Sequence, residues 1–250
     1  METVLVNALL LITGGCIGSF ASMLIYRLPR LSQTINIFSP RSFCPNCKTQ
    51  LPIKSLIPVL GFLFSKGECT YCKKKIDSAY LINELFIAIL TVFVMNYLGA
   101  LNPLSWLILL ALIILYIQAM MDFKTLLLSQ PLSIMLVLQG LCLNIGYEFF
   151  AVPLDSILGL IFGYGLLYCV NLLHRMIRNN DGIGSGDFLL LGAIGSIFGA
   201  SALGPILLLG SSITLLVYFL KNKDKSPELP LGFGLGLGGI FYCSTFIVMI

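Results

Sequence analysis

The chain has 250 residues, of which 58% are hydrophobic and 10% charged, with a formal net charge of +4. A soluble domain carries roughly a quarter charged residues, and crossing a bilayer takes roughly 20 apolar residues in a row. The composition therefore excludes an ordinary soluble protein and points to an all-α polytopic membrane protein, with lipid as its main neighbour and no nucleic-acid partner expected.

The first apolar run, 4–26, has no basic segment before it, since its first charge is Glu2, and it ends in Tyr26-Arg27. It reads as a retained first helix rather than a cleaved signal. Further apolar spans are predicted at 79–99, 101–121, 126–147, 153–174, 187–203, 205–220 and 231–250, about eight transmembrane helices in all. The stretch 187–220 is short for two spans. Gly204-Pro205 is a natural break, which favours two short helices over a re-entrant pair. Cys16, Cys142, Cys169 and Cys243 each lie singly within apolar stretches and are read as packing residues.

All fifteen Lys and Arg fall in four connections: 27–78, 122–125, 175–186 and 221–230. Positive charge is biased to the cytoplasmic side. These loops are thus expected to be cytoplasmic, with the N-terminus outside. The division expected is a first transmembrane helix at 1–27, a cytoplasmic insert at 28–78 and a membrane domain at 79–250.

The insert contains Cys44-Pro-Asn-Cys47 and Cys69-Thr-Tyr-Cys72, separated by 21 residues. Thiolates two residues apart can chelate from one turn, and two such pairs complete a tetrahedral zinc site. A closed set of four thiolates leaves no position for substrate, so zinc is expected to be structural. Two unrelated redox pairs are the alternative. Lys73, Lys74 and Lys75 offset the anionic thiolates or form a solvated flank. Between the knuckles, Leu56 to Phe64 is apolar but too short to span; it forms a small core under the metal or dips into the membrane interface.

Acids in or beside membrane segments are costly and are functional candidates. Asp122 ends the third span, and Asp187 opens the sixth after Gly182-Ile-Gly184-Ser-Gly186. Both fall on the cytoplasmic side of the charge-derived topology. Two facing carboxylates cannot both ionise, so one retains its proton. The ionised member can then activate water while the neutral member donates to the carbonyl or amine of a peptide. Gly184 and Gly186 allow an extended substrate close to the backbone, or simply make a flexible loop. Asp155 reads as a helix N-terminal charge after Pro153. His174 is the only histidine and reads as interfacial, and no H-E-x-x-H or Ser-His arrangement is present.

In order along the chain, Gly18-Ser19-Phe20, Tyr26-Arg27-Leu28-Pro29, Arg41-Ser42, the four cysteines, Ile57-Pro58-Val59-Leu60, Tyr80 through Glu84-Leu85, Gly184-Ser185-Gly186-Asp187 and Pro230-Leu231-Gly232 resemble the type IV prepilin leader peptidases. The nearest resemblance is to the late-competence members of Gram-positive bacteria. The resemblance implies a GxGD-type membrane aspartic protease whose catalytic residues map to Asp122 and Asp187. It also implies cleavage after a glycine in pilin-like precursors, in a bacterial cytoplasmic membrane. Ser22 stands where the family usually has Asn, Leu128-Ser129-Gln130 where Leu-Pro-Asp is frequent, and Leu189 where a Lys is common. Many family members also methylate the new N-terminus using S-adenosylmethionine, so that activity is a further candidate, with Glu84 as a residue that serves it or makes a helix–helix contact. The rival class is a non-enzymatic zinc-ribbon scaffold or transporter component, which accounts for the cysteines but not for the two acids. Oligomeric state is not legible.

Overall fold

The computed structural model describes residues 2–31, 36–220 and 229–249. In lipid, each backbone polar group must be satisfied within its own segment, so long apolar runs become helices. Nine helices result among the described residues: α1 (Glu2–Arg27), α2 (Leu60–Phe64), α3 (Ala79–Leu98), α4 (Pro103–Thr125), α5 (Gln130–Tyr147), α6 (Pro153–Arg178), α7 (Ser185–Phe198), α8 (Leu203–Leu220) and α9 (Leu231–Met249). Seven are long and apolar enough to cross a membrane. At 1.5 Å per residue, the 14 residues of α7 span about 21 Å, less than a typical hydrocarbon core of about 30 Å. The lysines at 221, 223 and 225 lie outside the described residues.

The chain divides into two compact units, Met1–Leu109 and Leu110–Ile250, with the boundary inside α4. In the first, α1 packs along α3. Glycines let the two backbones touch: a Cβ on Gly18 would stand 2.7 Å from Glu84 Cα, and one on Gly14 2.7 Å from Ala88 Cα. Small residues play this part in membrane helix pairs generally. Buried Asn83 donates to buried Ser22 Oγ at 3.0 Å, so Ser22 takes part in the α1–α3 contact.

In the second unit α7 is central, with Leu190 to Phe198 all buried. It packs chiefly on α6 and α5, and more lightly on α9 and α8. Buried Asn144 on α5 donates to Ser196 O and Ile197 O at 3.0 and 2.8 Å and accepts from Phe150 and Ala151 N–H at 3.2 Å. One side chain thereby satisfies the end of α7 and the α5–α6 turn. Helix α9 presses its glycines on α8: a Cβ on Gly238 would stand 3.0 Å from Ile206 O, and Gly234 faces Gly210 backbone to backbone.

Two boundaries differ from the sequence expectation. The break between α7 and α8 falls at 199–202 rather than at Gly204-Pro205. Gly199 takes the left-handed φ of +85° that stops α7, while Pro205 sits in the first turn of α8, where its missing N–H costs nothing. Helix α5 begins at Gln130 rather than 126, because Gln118 holds the preceding turn: its Nε2 donates to Ser129 O at 2.9 Å and to Ser133 Oγ at 2.7 Å, and its Oε1 accepts from Ser129 N at 2.9 Å. Of the four single cysteines, Cys243 is buried, whereas Cys16, Cys142 and Cys169 are exposed on the outer faces of their helices.

Candidate active site and metal centre

Asp122 lies in the last turn of α4 and is 5% exposed. Its Oδ2 accepts the backbone N–H of Phe233 at 2.9 Å, one of the free donors at the start of α9. The Phe123 and Phe233 rings pack at 4.9 Å beside it. Gly232 lies close beside it: a Cβ on it would stand 3.1 Å from Asp122 Oδ2 and 3.0 Å from both Leu128 Cδ atoms, so those side chains would have to give way.

Asp187 lies in the first turn of α7, where its own N–H bonds Gly184 O at 3.0 Å. Its Oδ1 is buried without a hydrogen-bond partner. A Cβ on Gly184 would come 3.2 Å from Asp187 Oδ2, and one on Gly186 would come 2.9 Å from Leu128 Cβ. Leu128 thus packs against the glycine next to Asp187 and against the glycine next to Asp122. The two carboxylates lie within electrostatic reach of one another. Among the described residues no histidine or cysteine is placed to act as a nucleophile with them. Such a pair can activate water with one member and protonate a carbonyl with the other.

The loop before Asp187 is held from α6. Asn171 Oδ1 accepts Gly182 and Ile183 N–H at 2.8 and 3.0 Å, and its Nδ2 donates to Asp181 Oδ1 at 3.1 Å. His174 Nδ1 is 3.1 Å from Asn180 O. Neither Asn171 nor Gln118 carries a motif, so neither stands out in the sequence. The only signal is a polar residue within an apolar helix.

In the first unit, the four sulfurs of Cys44, Cys47, Cys69 and Cys72 lie within 4.8 Å of one another. Cys44–Cys72 and Cys47–Cys69 are 3.9 and 4.0 Å apart. Tetrahedral zinc with Zn–S near 2.3 Å places its sulfurs about 3.8 Å apart, so the set fits one such ion. The two knuckles share one geometry. Cys44 N bonds Thr49 O and Lys48 N bonds Cys44 O; Cys69 N bonds Lys74 O and Lys73 N bonds Cys69 O. Lys48 and Lys73 both have φ of 57°. Hydrogen bonding from Thr49 pulls the Cys47 thiol down to about 6, and the backbone N–H groups of Cys72, then Tyr71, hold Cys69 below the ordinary thiol range. Burial pushes Cys44 up to about 11, a preference that a bound cation would reverse. Lys74 Nζ donates to Asn46 Oδ1 at 3.0 Å, and Asn46 Nδ2 to Cys72 Sγ at 3.6 Å. Asn46 thereby links Lys74 to the Cys72 sulfur. The first knuckle is tied back to α1 by buried Arg27, whose guanidinium donates to Asn36 O, Ile37 O and Pro40 O at 2.5–3.0 Å.

Two family profiles match the chain: the bacterial peptidase A24 N-terminal domain over residues 12–98 and the type IV leader peptidase family over 108–220. The chain is similar to the prepilin leader peptidase/N-methyltransferase of Klebsiella pneumoniae, 36% identical over 211 residues, covering 82% of this chain and 90% of that one. It is also similar to proteins of the same name from Aeromonas salmonicida, 31% identical over 89% of this chain and 85% of that one, and Neisseria gonorrhoeae, 28% identical over 91% and 86%. No solved structure matches the chain. Both profiles, and relatives matched over most of their length, agree with the helical membrane architecture: the chain belongs to the type IV leader peptidase family.

Proposed function

We propose that this protein is a membrane aspartic endopeptidase that removes the short basic leader from type IV pilin-like precursors, with Asp122 and Asp187 as the catalytic dyad. The observation that carries the reading is the convergence of these two acids, each backed by a glycine and both touching the surroundings of Leu128. The ionised carboxylate takes a proton from water, and the water oxygen attacks the scissile carbonyl carbon. The neutral carboxylate protonates the carbonyl oxygen. Collapse of the tetrahedral species breaks the C–N bond as a proton passes to the departing amine. Gly184, bare beside Asp187, leaves room for an extended backbone and for the small residue, glycine, that precedes the cut, while Gly186 packs against Leu128 and holds the loop in place.

The positive-charge bias puts the N-terminus outside and the dyad at the cytoplasmic face of a bacterial cytoplasmic membrane. There a precursor's apolar helix docks among the spans while its leader stays in the cytoplasm, and docking orients the scissile bond. Residues 28–78 serve as a zinc-bound insert and 79–250 as the peptidase part. Zinc at Cys44, Cys47, Cys69 and Cys72 is structural, because four thiolates fill its coordination. The relatives' names include N-methyltransferase, and that supports a second activity on the new N-terminus with S-adenosylmethionine as methyl donor.

The test is co-expression with a pilin-like precursor. Wild type should produce the smaller, leaderless product, and Asp122→Asn and Asp187→Asn should not, at equal protein levels. Cleavage by either variant at the wild-type rate rejects the dyad. Replacing the glycine before the cut with Phe should block cleavage.

A further inference from the structure

The segment joining the two knuckles belongs to a stretch of chain that a charge-based topology leaves in water. Its contacts lie elsewhere. Pro58 Cβ is 3.4 Å from where a Cβ on Gly15 would stand. Gly15 is twelve residues before Arg27, the end of α1 nearest the insert, which is about 18 Å along the helix at 1.5 Å per residue. Val59 N–H donates to Glu84 Oε2 at 2.7 Å, and Glu84 is buried on the face of α3 that meets Gly18. The chain between the cysteines therefore descends beside the α1–α3 pair to the middle of α1.

Its backbone is suited to that depth. Leu60 N bonds Pro58 O, Gly61 N bonds Ile57 O, Leu63 N bonds Val59 O, Ser65 N bonds Gly61 O and Gly67 N bonds Phe62 O, all at 2.6–3.1 Å. A loop in water can leave such groups to solvent; a loop in hydrocarbon cannot. Val59 has φ of 62°, an outlier for a β-branched residue, and its N–H is the one turned outward to Glu84. On the side away from α1 and α3, Ile57, Leu60, Leu63 and Phe64 are 43, 47, 57 and 78% exposed. Exposed Lys54 and Lys66 flank this face, with stems long enough to carry their charge back toward the headgroups.

We infer that residues 52–67 form a re-entrant loop, pinned by Glu84, whose Ile57–Leu60–Leu63–Phe64 face is covered by lipid acyl chains. Lipid is the occupant because the face is continuous with that of α1 and α3, whose own outward residues Leu11, Ile12, Ile82 and Ile89 are 46–63% exposed on helices apolar enough to span.

The chain has a single tryptophan, Trp106, which makes a fluorescence test direct. In a Trp106→Phe background, Leu63→Trp and, separately, Phe64→Trp are reconstituted in phosphatidylcholine vesicles with or without brominated acyl chains. Thr70→Trp, at the exposed edge of the second knuckle, serves as the aqueous control. Both loop tryptophans should show blue-shifted emission, strong quenching by bromolipid and little quenching by acrylamide; the control should show the reverse. Adding Glu84→Gln, which can still accept from Val59, should preserve the pattern, and Glu84→Leu should move it toward acrylamide. Acrylamide quenching without bromolipid quenching at 63 and 64 overturns the inference. Quenching by neither also overturns it, since the face would then be covered by protein, such as a second copy of the chain or a substrate helix.

Discussion

Asp187→Asn separates catalysis from stability more sharply than any other single change. In the folded chain one carboxylate oxygen of Asp187 is buried with no partner, and the other faces the Gly184 backbone. Asparagine keeps the shape and removes the charge. A buried neutral amide costs less than a buried carboxylate, so the variant should be as stable as wild type or more stable by up to about 1 kcal/mol, a rise in Tm of up to about 2–4 °C for a chain of this size. Its neutral amide cannot activate water or pass a proton. Losing general acid–base catalysis costs roughly 10²- to 10⁴-fold, or about 3 to 5 kcal/mol of barrier. The assay pairs single-turnover cleavage of a purified precursor with thermal unfolding in the same detergent. Wild-type cleavage would refute the role of Asp187. A parallel fall in activity and Tm would refute the reasoning in another way, by making Asp187 a structural residue.

Asp122→Asn should also abolish cleavage while keeping the fold, because its amide oxygen can still accept from Phe233 N–H; loss of unfolding cooperativity would contradict this. Purified protein should carry about one zinc per chain by mass spectrometry. Cys69→Ser or acidification should release it and open the insert to proteolysis, since protons compete with metal for thiolates; a metal-free insert that stays protease-resistant refutes the site. Gly234→Ala drives a methyl into the Gly210 carbonyl and should cost about 1–3 kcal/mol, whereas Gly204→Ala, with nothing within 4 Å, should leave Tm unchanged; equal effects would show that the α8–α9 contact is not close-packed. Asn171→Ala releases two loop N–H groups at about 1 kcal/mol and should lower kcat about tenfold more than it changes KM, with Asp181→Asn, which leaves both of those bonds in place and can still accept from Asn171, retaining most of the rate; equal loss in both variants refutes the positioning role.

Much of the architecture is legible in the sequence because membrane helices are written in long apolar runs and their loops in lysine and arginine. The four cysteines are legible for a similar reason: a metal site needs fixed ligand types at short spacing. What escapes is whatever depends on chain reversal. Gly204-Pro205 draws the eye as a break, yet proline fits a helix's first turn and the stop is set by Gly199. Leu128 reads as one more leucine, and only the turn fixed by Gln118 carries it between Gly186 and Gly232. Nothing in Ile57-Pro58-Val59-Leu60 announces that a valine takes a positive φ, because the partner of its N–H in that conformation, Glu84, lies 25 residues away. Asp122 and Asp187 stand out as acids at membrane edges, but their shared surroundings are tertiary: Leu128 meets Gly186, beside Asp187, and Gly232, beside Asp122.

The paired knuckles also act on the unfolded chain. A metal joining Cys47 to Cys69 closes a loop with 21 residues between the ligands, and a covalent link of that span removes loop-closure entropy worth about 3 kcal/mol at 25 °C. With the metal in place, the polypeptide between the cysteines leaves and returns at one fixed point, so its ends need not be gathered each time the intervening turn forms. Thiolates on a metal achieve this without an oxidant, and a chelator reverses it. Stripping the ion should therefore slow the docking of Pro58 and Val59 onto α1 and α3 even if the docked state, once reached, keeps the same contacts.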